Sequence, residues 1–310
     1  DKEDISNALN EKGVLLTKLT KDAWFIGSDA EQRLKEKIER IGKPLKDWDV
    51  NIYYGIKTGL NEAFIIDSKK REEILANCKD EEERKRTEAI IKPILRGRDI
   101  KRYYYEWAGL WVIVIPAGWT NENRNNEKPD DFIQRSLPSL MQHLKQFEAK
   151  AKKRDDQGDY WWELRHCAYY PEFEKEKVVW ASVGETYYCW VDKNHLVLDT
   201  NYFTTSLQKW QLGVLNSKFI INYINGLDTL VGNIAYRHYK YNFEKIPIPP
   251  ITPTNEPIVK QIEGLVDKIL AAKKQNPQAD TGEGEKEIDS MVYRLYDLTE
   301  EEVKIVEGGK

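Results

Sequence analysis

The sequence is poor in the residues that build covalent or metal-bound frameworks. It has three cysteines, two methionines and four histidines in 310 residues. Cys78, Cys167 and Cys189 are odd in number and far apart, which does not fit a disulfide scaffold and suits a reducing compartment. Neither they nor His143, His166, His195 and His238 fall at zinc-ligand spacings, so no metal is expected. Asn-x-Ser/Thr sequons are absent. No stretch approaches the roughly 20 apolar residues needed to span a bilayer, and the longest, such as 110–116, are strand-sized. The first residues show no charged n-region, apolar h-region and small-residue cleavage site. These absences give the expectation of no membrane partner and a cytoplasmic setting. Catalytic signatures are lacking as well. There is no Gly-x-Ser-x-Gly elbow, Walker loop, Gly-x-Gly-x-x-Gly fingerprint or His-Glu-x-x-His pair.

A strong excess of one charge is also missing. The 48 basic and 52 acidic side chains leave a net charge of −4, which argues against a bulk electrostatic binder of nucleic acid. The distribution says otherwise. Residues 84–102 carry eight basic side chains against two acidic ones, and residues 143–154 five against one. Residues 280–310 carry ten acidic against four basic, so the acidity is concentrated in the tail and the remaining body is slightly basic.

What is abundant is aromatic: 10 Trp, 17 Tyr and 8 Phe, more than a disordered chain carries. The length suits one large domain or two modest ones. The chain opens on Asp1 rather than Met, from which an excised piece of a longer protein is expected. Ser28 and Glu31 have capping-box spacing ahead of the stripe Leu34, Ile38, Ile41, which predicts a helix ending at Gly42 and Pro44. Strands are expected over 48–54, 63–66, 107–116, 160–162, 178–180 and 187–191. Helices are expected over 69–91 with a break at Pro93, over 132–153, over 212–227, and after 255 and 285, with 121–130 as a polar loop and 276–285 as a linker. The Ile-Pro-Ile-Pro-Pro run at 246–250 reads as a rigid extended connector. Strands and helices mix without a βαβ rhythm, so the fold class expected is α+β, a mixed and largely antiparallel sheet with flanking helices and a C-terminal helical segment.

Two arginines flanking a glycine, Arg96-Gly97-Arg98, sit on an expected loop and suit phosphates or guanine edges. Aromatics interleave with cations at 103–105, 160–165 and 236–241, a composition that suits either a DNA groove or stacking on sugars. Asp130, Glu148 and Lys150 have the look of a metal-nuclease set, but such sets need adjacent strands, and the second element reads as a charged helix face.

Four motifs occur in order: Tyr54-Gly55-Ile56-Lys57-Thr58-Gly59-Leu60-Asn61-Glu62-Ala63-Phe64, Lys92-Pro93-Ile94-Leu95-Arg96-Gly97-Arg98-Asp99-Ile100, Trp162-Glu163-Leu164-Arg165 with 170–173, and Ile246-Pro247-Ile248-Pro249, closed by 296–302. That succession resembles the TaqI-like C-terminal specificity domain, over roughly residues 24–305. Such domains are the target-recognition parts of adenine-specific DNA methyltransferases, including type IIG restriction–modification enzymes. The resemblance implies double-stranded DNA as partner and a methyltransferase domain in cis. The Asn-Pro-Pro-Tyr-type motif and the glycine loop for S-adenosylmethionine are not in this sequence, so no cofactor is expected on this chain and S-adenosylmethionine is expected on the absent catalytic domain. Residues 1–47 would be an N-terminal helical linker from that domain, 48–250 the recognition domain, and 251–310 C-terminal helices with an acidic tail.

Under this resemblance the Gly55–Gly59 turn lets Lys57 and Thr58 approach DNA closely. Asn61 either pairs with an adenine edge or caps the turn. Arg96 and Arg98 are direct or phosphate contacts, Lys101, Arg102 and Arg165 phosphate clamps, and Arg237 and Lys240 contacts from a later loop. No catalytic residue is expected. The alternatives are a carbohydrate- or protein-binding module with a Trp/Tyr-rich surface and, behind it, a divalent-metal nuclease.

Overall fold

The computed structural model describes residues 29–308, so the capping role expected of Ser28 lies outside the described residues. The chain folds as two compact units, Asn51–Leu207 and the pair of segments Asp1–Val50 and Gln208–Lys310. This division falls inside the 48–250 segment marked out by sequence.

The unit Asn51–Leu207 is built on two four-stranded sheets. One runs in the order Tyr53–Tyr54, Asn201–Thr204, Lys177–Ala181, Cys189–Val191, antiparallel throughout. The other runs Ile65–Asp67, Leu110–Ile113, Ile91–Leu95, Leu196–Val197, with the last pair parallel. Every residue of Lys177–Ala181 is buried, so its Val-Val-Trp run is a core strand rather than a half-wet one. Pro93 does not end an element as expected. The helix Glu81–Ile90 stops first and the strand passes through Pro93, which faces Trp111. The parallel partner begins only at Ile94, opposite Leu196, so the missing proline N–H costs no ladder bond.

Other boundaries move for local reasons. The expected helix over 69–91 is two, Ser68–Ala76 and Glu81–Ile90, because Asp67 and Asp80 each accept a backbone N–H, from Lys70 and Glu83, both at 2.7 Å. The expected strand at 63–66 begins one turn late, since Asn61–Phe64 is helical and only Ile65–Asp67 is extended. The polar loop at 121–130 is partly helical, with Trp119–Asn123 preceding a helix that opens on Pro129. The expected strand at 160–162 is a turn. Around these elements Phe64, Ile94, Ile113, Leu140, Leu144, Trp162 and Phe203 form one core.

In the second unit, Lys43–Pro44 pairs antiparallel with Pro247–Ile248, so the proline connector is a short strand with a single partner. The expected helix 212–227 is broken into Lys209–Leu215 and Lys218–Asn225, where Ser217 Oγ accepts the Ile220 N–H at 3.4 Å. Gly213 lets the first of these lie against Glu256–Gln275, since a Cβ there would come within 2.8 Å of Ile262 and 2.9 Å of Val266. The acidic C-terminal stretch is not a loose tail. Gly282–Leu295 buries Ile288, Val292 and Leu295, buried Asp289 accepts the Lys218 N–H at 2.8 Å, and Thr299 and Glu302 cap the last helix reciprocally. Among the described residues no helix is long and apolar enough to cross a membrane.

The turn at Gly55 is the tightest approach in the first unit, where a Cβ would lie 2.0 Å from the Leu198 carbonyl oxygen. Gly55→Ala is expected to lower the stability of that unit by about 3 kcal/mol, read as a shift of the urea midpoint, because backbone blocks the methyl group.

Candidate functional site

The site expected from sequence begins at the Gly55–Gly59 turn, and the structure corrects its role. Gly55 makes room for the chain's own Leu198, and Gly59, at φ +68°, for the side chain of Asp156, whose Cβ would lie 2.9 Å from an added methyl. The glycines therefore serve internal packing rather than close approach of DNA. Thr58 is corrected too. It is 1% exposed, and its hydroxyl donates to Asn61 Oδ1 at 2.6 Å while accepting the Leu60 N–H at 3.2 Å. Asn61 is exposed at the first position of its helical turn, with its carbonyl oxygen held by that bond. Of the two roles open to Asn61, the turn-stabilising one is the one seen.

The turn is pinned from below by Arg154. This arginine is 7% exposed and donates to the carbonyl oxygens of Thr58, Trp161 (3.0 Å) and Glu163, with its guanidinium 4.2 Å from the Phe64 ring centre. Burial lowers its pKa to about 10, which still leaves it charged at neutral pH. Glu163, fully buried, works in the reverse sense, accepting the backbone N–H groups of Thr120 (2.9 Å), Asp159 (3.0 Å) and Gly118 (3.2 Å). Arg154 belongs to the basic run 143–154, yet the fold turns it inward.

Above this frame lie two exposed cations. Lys57 pairs with Asp156 at 2.9 Å, and Arg165 approaches the same carboxylate at 3.7 Å. Both side chains are nearly half exposed and so remain reachable by a phosphate, at the cost of a surface ion pair.

The second cluster sits on the turn after strand Ile91–Leu95. Arg96 is not a free contact. Its Nε and Nη2 grip Asp99 at 3.1 and 2.7 Å, Asp99 also accepts the Arg96 backbone N–H at 2.8 Å, and the guanidinium's hydrogen bonds to the Asp99 carboxylate hold its pKa above its ordinary value. Asp99 is only 3% exposed, so this pair is the keel of the turn. Gly97 completes it by donating to Thr200 Oγ1 at 2.9 Å. Arg98 is then thrown outward. It is exposed, and its guanidinium makes no hydrogen bond or ion pair among the described residues. Lys101 donates to the Arg98 carbonyl at 3.0 Å, and Arg102 lies half-buried with its guanidinium 5.8 Å from the Tyr103 ring centre.

Arg237 and Lys240 belong to the other unit. Arg237 is exposed on the strand Ala235–Arg237, and Lys240 pairs with Glu244 at 3.7 Å.

Of the alternatives, the nuclease set loses its geometry. Asp130 opens the helix Pro129–Ser136, while Glu148 and Lys150 lie on the helix Glu148–Ala151, where they pair with Lys152 at 2.6 Å and Glu62 at 2.7 Å. None is on a strand, and the described residues hold no group of three potential metal ligands. Of a Trp/Tyr-rich surface, Tyr54 and Tyr241 are exposed while most of the tryptophans turn inward. Trp161, Trp162, Trp180 and Trp210 are all buried, and Trp107 is the one exposed tryptophan among the described residues.

Sequence reasoning also missed a polar knot at the far end of Lys177–Ala181. Lys177 is 1% exposed and donates to the carbonyls of Lys175 (2.7 Å) and Asp192 (2.9 Å), while the Asp192 carboxylate takes bonds from Tyr105 (3.0 Å) and His195 (3.1 Å).

Compared with known proteins, the chain matches the sequence model of the TaqI-like C-terminal specificity domain over residues 92–248, half its length. No curated protein matches it. Among solved structures it is similar to the type IIL restriction–modification enzyme MmeI, determined in complex with DNA. That likeness has 13% identity and a TM-score of 0.59, and covers 84% of this chain and 35% of the MmeI chain. It is also similar to the type IIG restriction endonuclease BpuSI, with 12% identity, a TM-score of 0.48, and coverage of 96% of this chain and 35% of the BpuSI chain. At such identity the MmeI match shows the fold, and this chain spans about a third of that enzyme.

Two outcomes follow from the buried cations. Arg154→Ala removes the donor of the buried Thr58 and Trp161 carbonyls and one of the two donors of the Glu163 carbonyl, and is expected to cost about 3 kcal/mol in a denaturation experiment. Burial lowers the Lys177 pKa from 10.5 to about 8. Between those values the unfolded chain binds the extra proton, so this site makes stability rise with pH across that window. The difference in stability between the wild type and Lys177→Met should grow by about 1 kcal/mol for each pH unit there.

Proposed function

The chain belongs to the family of TaqI-like C-terminal specificity domains, and on that premise we propose that it reads the target sequence in duplex DNA for an adenine-specific DNA methyltransferase of the type IIG restriction–modification class, acting in a prokaryotic cytoplasm. The supporting observation is the turn 96–102. It lies inside the matched segment, the grip of Arg96 on buried Asp99 braces it, and it presents the Arg98 guanidinium without a partner among the described residues. A rigid turn that offers a guanidinium has already met the entropic cost of ordering that a mobile loop would meet on binding. In this reading Arg98 contacts DNA directly and Arg96 positions it. Lys101 and Arg102 lie beside it for phosphates, and Lys57 and Arg165 exchange Asp156 for a phosphate oxygen. Arg237 and Lys240 contribute from the second unit.

Methyl transfer itself falls to a catalytic domain in cis. In this reading S-adenosylmethionine belongs to that catalytic domain, and the glycine turn at 55–59 of this chain packs against Leu198 and Asp156.

Binding of the chain to duplex DNA across a salt series tests the reading. Affinity should fall steeply as salt rises, with the slope counting phosphate contacts. Arg98→Ala should either weaken the salt dependence by about one unit of slope or cost about 1–3 kcal/mol selectively, according to whether it meets a phosphate or a base. Absence of binding at about 50 mM salt, where phosphate contacts are strongest, would overturn the proposal.

A further inference from the structure

The carboxylate between Lys57 and Arg165 divides itself between two cations. Asp156 Oδ2 lies 2.9 Å from Lys57 Nζ, and Oδ1 lies 3.7 Å from Arg165 Nη1. Two cations share a phosphate in the same manner, one on each of two oxygens, so the carboxylate stands where a phosphate would stand.

Of the three groups, the carboxylate is the fixed one. The Lys57 and Arg165 side chains are 48% and 43% exposed, that of Asp156 only 18%. Asp156 is lodged against the Gly59 turn, where an added methyl would come within 2.9 Å of its Cβ. It also answers a buried charge. Burial lowers the Arg154 pKa, and Asp156 is the first charge acting against that loss. A carboxylate tied to a buried cation cannot swing away with exposed partners. Asp199 lies near enough to interact electrostatically with Lys57, Asp156 and Arg165. The two exposed cations therefore face two carboxylates, unlike Arg98, whose guanidinium has no partner among the described residues.

Resting on the DNA-recognition reading above, we propose that Asp156 is a resident competing anion, which holds Lys57 and Arg165 off the DNA backbone so that they reach a phosphate only by giving up their internal partner. Phosphate contacts are blind to sequence, so a device that weakens them limits binding to wrong sites. When the cations leave Asp156, its carboxylate draws a counterion back. The net release of ions on binding is then smaller by about one.

The test titrates the whole chain with random-sequence duplex DNA over about 50–200 mM salt. Asp156→Asn should bind about two- to tenfold more tightly than the wild type at the lowest salt, the range open to two surface ion pairs. Its salt slope should steepen by about one unit. Asp155→Asn is the control. Asp155 is exposed, and its substitution changes the net charge equally, so its slope should match the wild type. Adding Lys57→Met should cost more affinity in Asp156→Asn than in the wild type. If Asp156→Asn binds no better than Asp155→Asn, the proposal is overturned. Weaker binding than the wild type, as expected of a carboxylate that only positions the cations, overturns it too. Both results leave the DNA reading standing, whereas a wild type that binds no duplex removes both. If melting shows that Asp156→Asn does not fold, Lys57→Met with Arg165→Met in the wild type decides. The slope should fall by about one unit, and a fall of about two, that of two unopposed phosphate contacts, overturns the proposal.

Discussion

A buried positive charge has to be satisfied wherever the chain places it, and much of the first unit is arranged around one such charge, Arg154. Its guanidinium has carbonyl oxygens rather than a carboxylate as its hydrogen-bond partners, from three residues in two separate stretches, and the face of Phe64 beside it. Leaving that charge without acceptors would cost several kcal/mol, so the turns at Thr58 and at Trp161–Glu163 have little freedom to move apart. Glu163 repeats the arrangement with opposite sign, ordering the 118–120 turn through backbone N–H groups. The exposed Lys57 and Arg165, and Asp156 between them, inherit their places from this frame.

A similar division of roles holds at the second cluster. Of two arginines flanking one glycine, one is used internally so that the other can be displayed. Arg96 closes on a buried carboxylate and Gly97 accepts the close approach of Thr200, where a Cβ would lie 3.1 Å from the carbonyl oxygen. A lysine in place of Arg96 could not grip Asp99 with two parallel bonds. The turn thus converts a run of charge into one oriented guanidinium, which a net charge of −4 gives no hint of.

Polar groups on the 96–102 turn and at Lys57 and Arg165 suit phosphates, which position a protein on a duplex. The aromatic wealth of the chain lies elsewhere. Trp162, Trp180, Trp210, Tyr103 and Tyr188 are structural, filling the interiors of their units.

The sequence by itself determined the mixed α+β character, the family, and the neighbourhood of the 92–102 motif, because these rest on local periodicity, turn chemistry and residues close together in the chain. It also showed that positive charge gathers at 84–102. It could not tell which charges face water. Arg154 reads as part of a basic patch and is buried, Thr58 reads as a contact and is a turn lock, and Pro93 reads as a break and lies within a strand. Two of those outcomes depend on a partner outside the local run of sequence: Glu163 and Trp161 lie seven to nine residues beyond Arg154, and Leu196 begins its pairing just past Pro93. Only the tertiary structure decided them, because burial and hydrogen-bond satisfaction are set by what packs alongside, and one-dimensional spacing does not encode that.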